Sequence, residues 1–265
     1  MKGDSNSMTV NELETIFFEK SEVKLLRFYE PKPGVFVAES PKVIERALKA
    51  GYEPLGLLIC EDILAEEGRM LLPSLSNLPL VSIPYDKYKL MTGSNLTNGM
   101  LCAFRRKKQD DATQIYESAK RIAVIDDVEN PANVGSIFRA AAALNMDACL
   151  VTKGCADPLY KRAARVSMGN VFMIPWAYVG NDYVDKLKAH GVTTVAMALK
   201  DDSIRVDDER IKTERLAVIL GNEGNGLPDE TIGKCDYTVM LPMAHEVDSL
   251  NVAQAAAVAF WELGE

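Results

Sequence analysis

Histidine is almost missing from this chain: His190 and His245 are the only two in 265 residues. The five cysteines, Cys60, Cys102, Cys149, Cys155 and Cys235, are odd in number and widely spaced, with no Cys-x-x-Cys. These scarcities argue against a zinc site or a disulfide framework, so no metal is expected and buried free thiols in a reducing compartment are. No run approaches the roughly 18 apolar residues of a membrane helix, and no apolar core of signal-peptide type opens the chain. A cytoplasmic protein without a membrane partner is the expectation. Net positive charge is lacking too, the formal charge being −8. Residues 1–120 carry 16 basic against 17 acidic residues, and 121–265 carry 14 against 21. Bulk acidity counts mildly against nucleic-acid binding, but phosphate contacts need only local patches. Two such patches exist: Arg105-Arg106-Lys107-Lys108, and Lys161, Arg162 and Arg165 with Lys153. The first reads equally well as a solvated linker.

Also absent is the dinucleotide fingerprint, Gly-x-Gly-x-x-Gly after a first strand with an acid about 20 residues on. The glycines of Gly221-Asn222-Glu223-Gly224-Asn225-Gly226 follow a late strand instead. A nicotinamide-dependent oxidoreductase is thereby disfavoured.

What is present is alternation. Residues 1–10 are polar and read as a disordered start. In 11–108, strands at 34–38, 55–60, 80–83 and 100–104 alternate with helices at 41–50 and 85–91, the latter closing at Gly93. That pattern fits a small α/β/α sandwich. A linker is expected over 109–119. From 120 to 265 the alternation strengthens, with strands at 122–125, 148–151, 172–174, 193–198, 216–220 and 237–241. Helices are expected at 134–144, 158–166, 183–190 and 251–263. Leu216 to Leu220 is a continuous apolar run of the kind buried on both faces of a parallel sheet. The architecture read from this is a parallel, doubly wound sheet with helices on both sides.

Three segments rich in Gly, Asn and Ser sit where strands end or helices begin: Asn133 to Arg139, Gly221 to Gly226, and Leu241-Pro242-Met243 running on to Ser249-Leu250-Asn251. That rim is where open α/β sheets bind ligands. Read singly, each has an ordinary explanation. Asn133 fits a helix N-cap and Arg139 a surface arginine; the glycines fit any tight turn; Glu223 holds a ribose, pins a loop or faces water; Ser249 or Asn251 caps a helix. Read together, they form one polar pocket.

In this order and spacing the segments resemble the SpoU/TrmH family of RNA ribose 2′-O-methyltransferases, of the SPOUT class. The match is N-x-G-x-x-x-R at Asn133, Gly135 and Arg139, G-x-E-G-x-G at Gly221, Glu223, Gly224 and Gly226, then Pro242-Met243 and Ser249 to Val252. Ala156-Asp157-Pro158, Arg165-x-Ser167-x-Gly169 and Pro175 also look like the family's middle region. The resemblance spans roughly residues 120–263. It implies a C-terminal deep trefoil knot, a homodimer, and S-adenosylmethionine bound by Gly221, Asn222, Leu241, Met243 and Leu250. It implies catalytic roles for Asn133, Arg139, Glu223, Ser249 and Asn251. The first half looks like an RNA-binding domain of the kind seen in kink-turn-binding ribosomal proteins. RNA contacts are expected from Arg105, Arg106, Lys107, Lys108, Lys161, Arg162 and Arg165. Ribosomal RNA is the preferred substrate, with transfer RNA, or a non-catalytic RNA- or cofactor-binding protein of the same fold, as the alternatives. Two positions depart from the family: His245 stands where it usually has Gly, and Asn170 where it favours Ala.

Overall fold

The computed structural model describes residues 8–18, 32–92, 98–108, 110–245 and 249–264. Most of the expected polar start, Gly93, and Glu246 and Asp248 of the last loop lie outside the described residues.

In the first half, α1 (Val10–Phe18), β1 (Val35–Glu39), α2 (Pro41–Lys49), β2 (Pro54–Ile59), α3 (Glu66–Leu71), β3 (Leu80–Ser82), α4 (Tyr85–Thr92) and β4 (Met100–Arg105) follow one another. The strands form one sheet in the order β1-β4-β2-β3, with β2 and β3 parallel and the other pairs antiparallel. Period-two alternation sorts its side chains between two cores. Val35, Val37, Leu101 and Ala103 pack with Leu13 and Phe17 of α1 and Tyr88 of α4. Phe36, Ala38, Met100, Cys102 and Phe104 pack with Val43, Ile44 and Ala47 of α2. Pro41 at the first turn of α2 costs no hydrogen bond, since that amide has no helical partner. Two helices, α1 and α3, add to the elements expected here.

The second half contains α5 (Ala112–Ser118), β5 (Arg121–Ile125), α6 (Pro131–Ala143), β6 (Ala148–Thr152), α7 (Lys161–Val166), β7 (Trp176–Val179), α8 (Tyr183–Ala189), β8 (Thr193–Met197), β9 (Ile204–Arg205), β10 (Leu216–Leu220), α9 (Asp229–Lys234), β11 (Tyr237–Met240) and α10 (Val252–Leu263). Its seven strands pair in parallel in the order β7-β6-β5-β10-β8-β11-β9. Ile122 and Val124 of β5 face α5 and α8, while Ala123 and Ile125 face α6 and α10. That second face is continuous with the core beneath α2, so the two halves share apolar interior.

Several boundaries differ from expectation. The segment taken for a linker holds α5, capped by Asp111 and burying Ile115 and Tyr116. The strand expected at 172–174 is a 3-10 turn over Asn170–Phe172, and the strand begins at Trp176, after Pro175. The helix expected from Pro158 starts at Lys161, because Asp157 accepts the Leu159 amide in a tight turn first. The helix carrying Asn133 begins at Pro131, and its cap is Asn130, whose side chain accepts the Ala132 amide at 2.9 Å. Asn133 is thereby released from capping.

Candidate functional site

A cleft of about 890 Å³ opens at the carboxyl ends of β8, β10 and β11. Its walls come from Ala198 and Leu199, the loop Gly221 to Gly226, Leu241 to Met243, and Ser249 to Asn251. Parallel strands put their carboxyl ends on one rim, and this is the rim where such sheets receive ligands. Leu199, Met243 and Leu250 are large apolar side chains left exposed, and all three line it. Exposed apolar groups gathered in a concave site suit a flat apolar ligand better than bulk water.

The three segments singled out in the sequence meet here through side chains. Asn133 donates from Nδ2 to Glu223 Oε1 at 2.7 Å, and Asn251 donates from Nδ2 to Asn133 Oδ1 at 3.2 Å. Asn251 also caps α10, its Oδ1 accepting the Ala253 amide. One residue from each segment thus joins a single hydrogen-bonded chain spanning 118 positions of sequence. Ser249 is exposed at the same rim.

The loop itself is held from within. Asn222 donates to the Asp127 carbonyl, and its Oδ1 accepts the amides of Gly224 and Asn225. Its side chain is therefore spent on shaping the loop, leaving main-chain groups to meet a ligand. At Gly221 a Cβ would lie 2.6 Å from the backbone of Gly226 and Leu227, so only glycine lets the loop close. His245 is exposed, with φ of 56° in the left-handed region that glycine occupies freely. Histidine is among the residues that tolerate that conformation.

Arg139 is placed differently. It stands six residues beyond Asn133 on α6, which turns it about 240° around the axis. It is exposed, lies outside the residues lining the cleft, and has no hydrogen bond or ion pair to another described residue. The structure joins Asn133, Glu223 and Asn251 and places Ser249 on the same cleft, but it does not add Arg139 to them.

The basic clusters also separate. Arg106 turns inward to a fork with the fully buried Asp157, pairing Nη1 with Oδ1 at 3.3 Å and Nη2 with Oδ2. Arg105 pairs with Glu53 at 2.7 Å, and Lys107 bonds the Ala50 carbonyl while lying 4.6 Å over the Tyr52 ring. Arg165 bonds the buried Glu39 at 3.1 Å. Of the first cluster Arg105, Lys107 and Lys108 are exposed, and of the second Lys153 and Arg162 are. Burial holds the Glu39 carboxyl above the usual carboxylate range, against the pull of Lys161 and Arg165. Burial also pushes the Cys155 and Cys235 thiols up to about 11, which makes them poor nucleophiles. Among the described residues no helix is long and apolar enough to cross a membrane, and no three metal-binding side chains assemble.

A parallel α/β sheet with a polar, glycine-built cleft at its carboxyl rim defines a nucleotide- or cofactor-binding enzyme class in general terms. The family is then specific: residues 120–261 match the SpoU rRNA Methylase family, and the chain belongs to it. An uncharacterized tRNA/rRNA methyltransferase of Mycobacterium bovis is 36% identical over 86% of this chain and 80% of its own length. The 23S rRNA (guanosine(2553)-2′-O)-methyltransferase RlmP of Bacillus subtilis is 28% identical, over 88% of this chain and 89% of its own. Among solved structures, the SpoU methyltransferase AviRb of Streptomyces viridochromogenes, in complex with AdoMet, is 26% identical with a TM-score of 0.73. That match covers 87% of this chain and 90% of AviRb.

Proposed function

We propose that this RNA methyltransferase transfers a methyl group from S-adenosylmethionine to a ribose 2′-hydroxyl, with ribosomal RNA as substrate. The observation that carries the reading is the chain from Glu223 through Asn133 to Asn251 at the mouth of the cleft. The Bacillus subtilis relative, a 2′-O-methyltransferase of 23S rRNA, supports the acceptor atom and the RNA class. AviRb, holding AdoMet, supports the cofactor, and the exposed apolar wall of Leu199, Met243 and Leu250 fits an adenine ring.

When bound, S-adenosylmethionine supplies an electrophilic sulfonium methyl. Main-chain groups around Gly221, Leu241 and Leu250 would hold it, with Met243 covering the ring. Ser249 and Asn251 orient the ribose, while Glu223 locks Asn133 and so fixes the rim. Positioning of this kind contributes about 7–11 kcal/mol toward lowering a barrier. A guanidinium is a poor proton acceptor in proteins, so Arg139 is not given the part of the base. Its role is to grip the adjacent phosphate and stabilise the developing alkoxide while the proton passes to phosphate or water.

Since Arg139 does not line its own cleft, we assign it to the cleft of a second copy in a homodimer. The outer face of α10 supports such pairing, with Val258 and Trp261, one turn apart, 45% and 73% exposed. We further infer that the C-terminal segment is threaded as a deep trefoil knot. That reading is supported by β10 lying between β5 and β8 while residues 241–243 and 249–251 line the same cleft as the Gly221 loop. RNA is selected by the N-terminal domain, with Lys108, Lys161 and Arg162 contacting phosphates.

The test is transfer of labelled methyl from S-adenosylmethionine to total RNA of cells lacking this gene. Wild type should incorporate label and Asn251→Ala should not. Calorimetry with S-adenosylhomocysteine against NAD accompanies it, and binding of NAD alone would overturn the proposal.

A further inference from the structure

The N-terminal domain meets the methyltransferase domain chiefly through α7 and the turn that follows it. Arg46 of α2 donates from Nη1 to the Met168 carbonyl at 2.7 Å and to Asn170 Oδ1 at 2.6 Å. Glu39, at the end of β1, accepts from Arg165 of α7 at 3.1 Å and is fully buried. Phe172 completes the junction, its ring 5.6 Å from Phe36 and 5.3 Å from Tyr52. Polar and aromatic contacts together leave this turn little freedom relative to α2.

The other side of α7 presses on the catalytic helix. A Cβ at Gly135 would lie 2.4 Å from the Ala163 carbonyl oxygen and 3.1 Å from the Ser167 amide. The backbones of α6 and α7 therefore touch directly, two residues beyond Asn133 and four before Arg139. Close-packed contacts transmit displacement, because no soft side chain lies between to absorb it. An ångström at the reacting atoms is worth up to about a hundredfold in rate.

We propose that Arg46 is a positioning residue for methyl transfer: by clamping the turn after α7 it holds α6 in register with RNA gripped by the N-terminal domain. Asn170 is its counterpart, so one of the two positions that depart from the family pattern gains a role specific to this junction. The proposal rests on the methyltransferase reading above, and it makes the two domains one ruler between the RNA contact and the 2′-hydroxyl.

Arg46→Ala and Asn170→Ala should each lower kcat for labelled methyl transfer to total RNA by about tenfold or more. S-adenosylhomocysteine affinity by calorimetry and RNA affinity by filter binding should stay within about twofold. Asn170→Asp, which keeps an acceptor for Arg46, should retain at least half of the wild-type rate, and the double alanine variant should be no worse than either single. Unchanged kcat in Arg46→Ala would overturn the clamp. Hydrogen exchange on the same variants gives a readout independent of RNA. Amides of α6 should exchange faster in Arg46→Ala than in wild type, and equal protection would sink the proposal whether or not RNA is the substrate. Wild type that methylates no RNA would instead count against the proposed function.

Discussion

Asn133, Glu223 and Asn251 meet at the cleft rim through amides and one carboxylate, with Glu223 and Asn251 exposed to solvent. At the domain junction, Glu39 and Asp157 are fully buried and meet arginines, Arg165 and Arg106. Both regions join segments distant in sequence, yet their energetics differ. A hydrogen bond is worth about 0.5–1.5 kcal/mol net, and both partners of the buried Asn133 are exposed, so the rim can trade its internal contacts for contacts to a ligand. A buried charge carries a desolvation cost of several kcal/mol, so the junction cannot let its partners go. The rim is built for exchange and the junction for fixity.

Breaking the junction should have the largest effect. Arg106→Ala leaves the Asp157 carboxylate buried without its guanidinium, at a cost of about 3–5 kcal/mol. Chemical denaturation should show it as a midpoint well below wild type; an unchanged midpoint would mean that the ion pair is replaceable by water. Next comes Arg139→Lys, which keeps charge but loses the planar fork. Turnover should fall about a hundredfold with cofactor affinity nearly intact. Mixing Arg139→Ala with Asn251→Ala subunits should restore part of the activity that each lacks alone. No recovery in verified mixed dimers would return Arg139 to its own cleft.

Asn133→Ala should act more gently on stability than Arg106→Ala, costing about 0.5–1.5 kcal/mol per hydrogen bond lost, since the exposed Glu223 and Asn251 can turn to water. Its turnover should drop nonetheless, and a stability loss without a rate loss would separate this asparagine from the chemistry. Glu39→Gln should have the smallest effect and a sign that depends on pH. Because burial raises the Glu39 pKa in the folded state, the native protein binds more protons than the unfolded chain above the ordinary carboxylate value. Wild-type stability on this account falls as pH rises through that window. Melting temperatures of wild type minus variant should therefore decrease from pH 4.5 upward, and a difference that grows with pH would reverse the assignment.

The same contrast explains what could be read in the sequence. The rim was legible because each contributing segment combines glycine or asparagine with a strand end, and β10 because Leu216 to Leu220 is apolar on both faces. The junction was hidden. Arg106 looks like an RNA contact until Asp157, 51 residues away, is seen beneath it. Asn170 looks like a harmless departure until Arg46, 124 residues away, reaches it. Charge in a sequence tells the sign of a side chain and nothing of its partner. Local misreadings had local causes. Asn130 and Asn133 both suit a cap, and Pro131 at the first turn decides between them. The apolar stretch before Pro175 imitates a strand, but Gly169, at φ of 78°, turns the chain into a 3-10 segment there. Arg139 looks like a cleft residue from its motif, yet it stands outside the residues that line the cleft.

Alkaline hydrolysis of RNA methylated by this protein tests the central claim most directly. A 2′-O-methyl group blocks cleavage of the next phosphodiester, so after transfer from labelled S-adenosylmethionine the label should appear in alkali-resistant dinucleotides. Label recovered in mononucleotides, with the methyl on a base, would contradict a ribose-directed site assembled from Asn133, Glu223, Ser249 and Asn251.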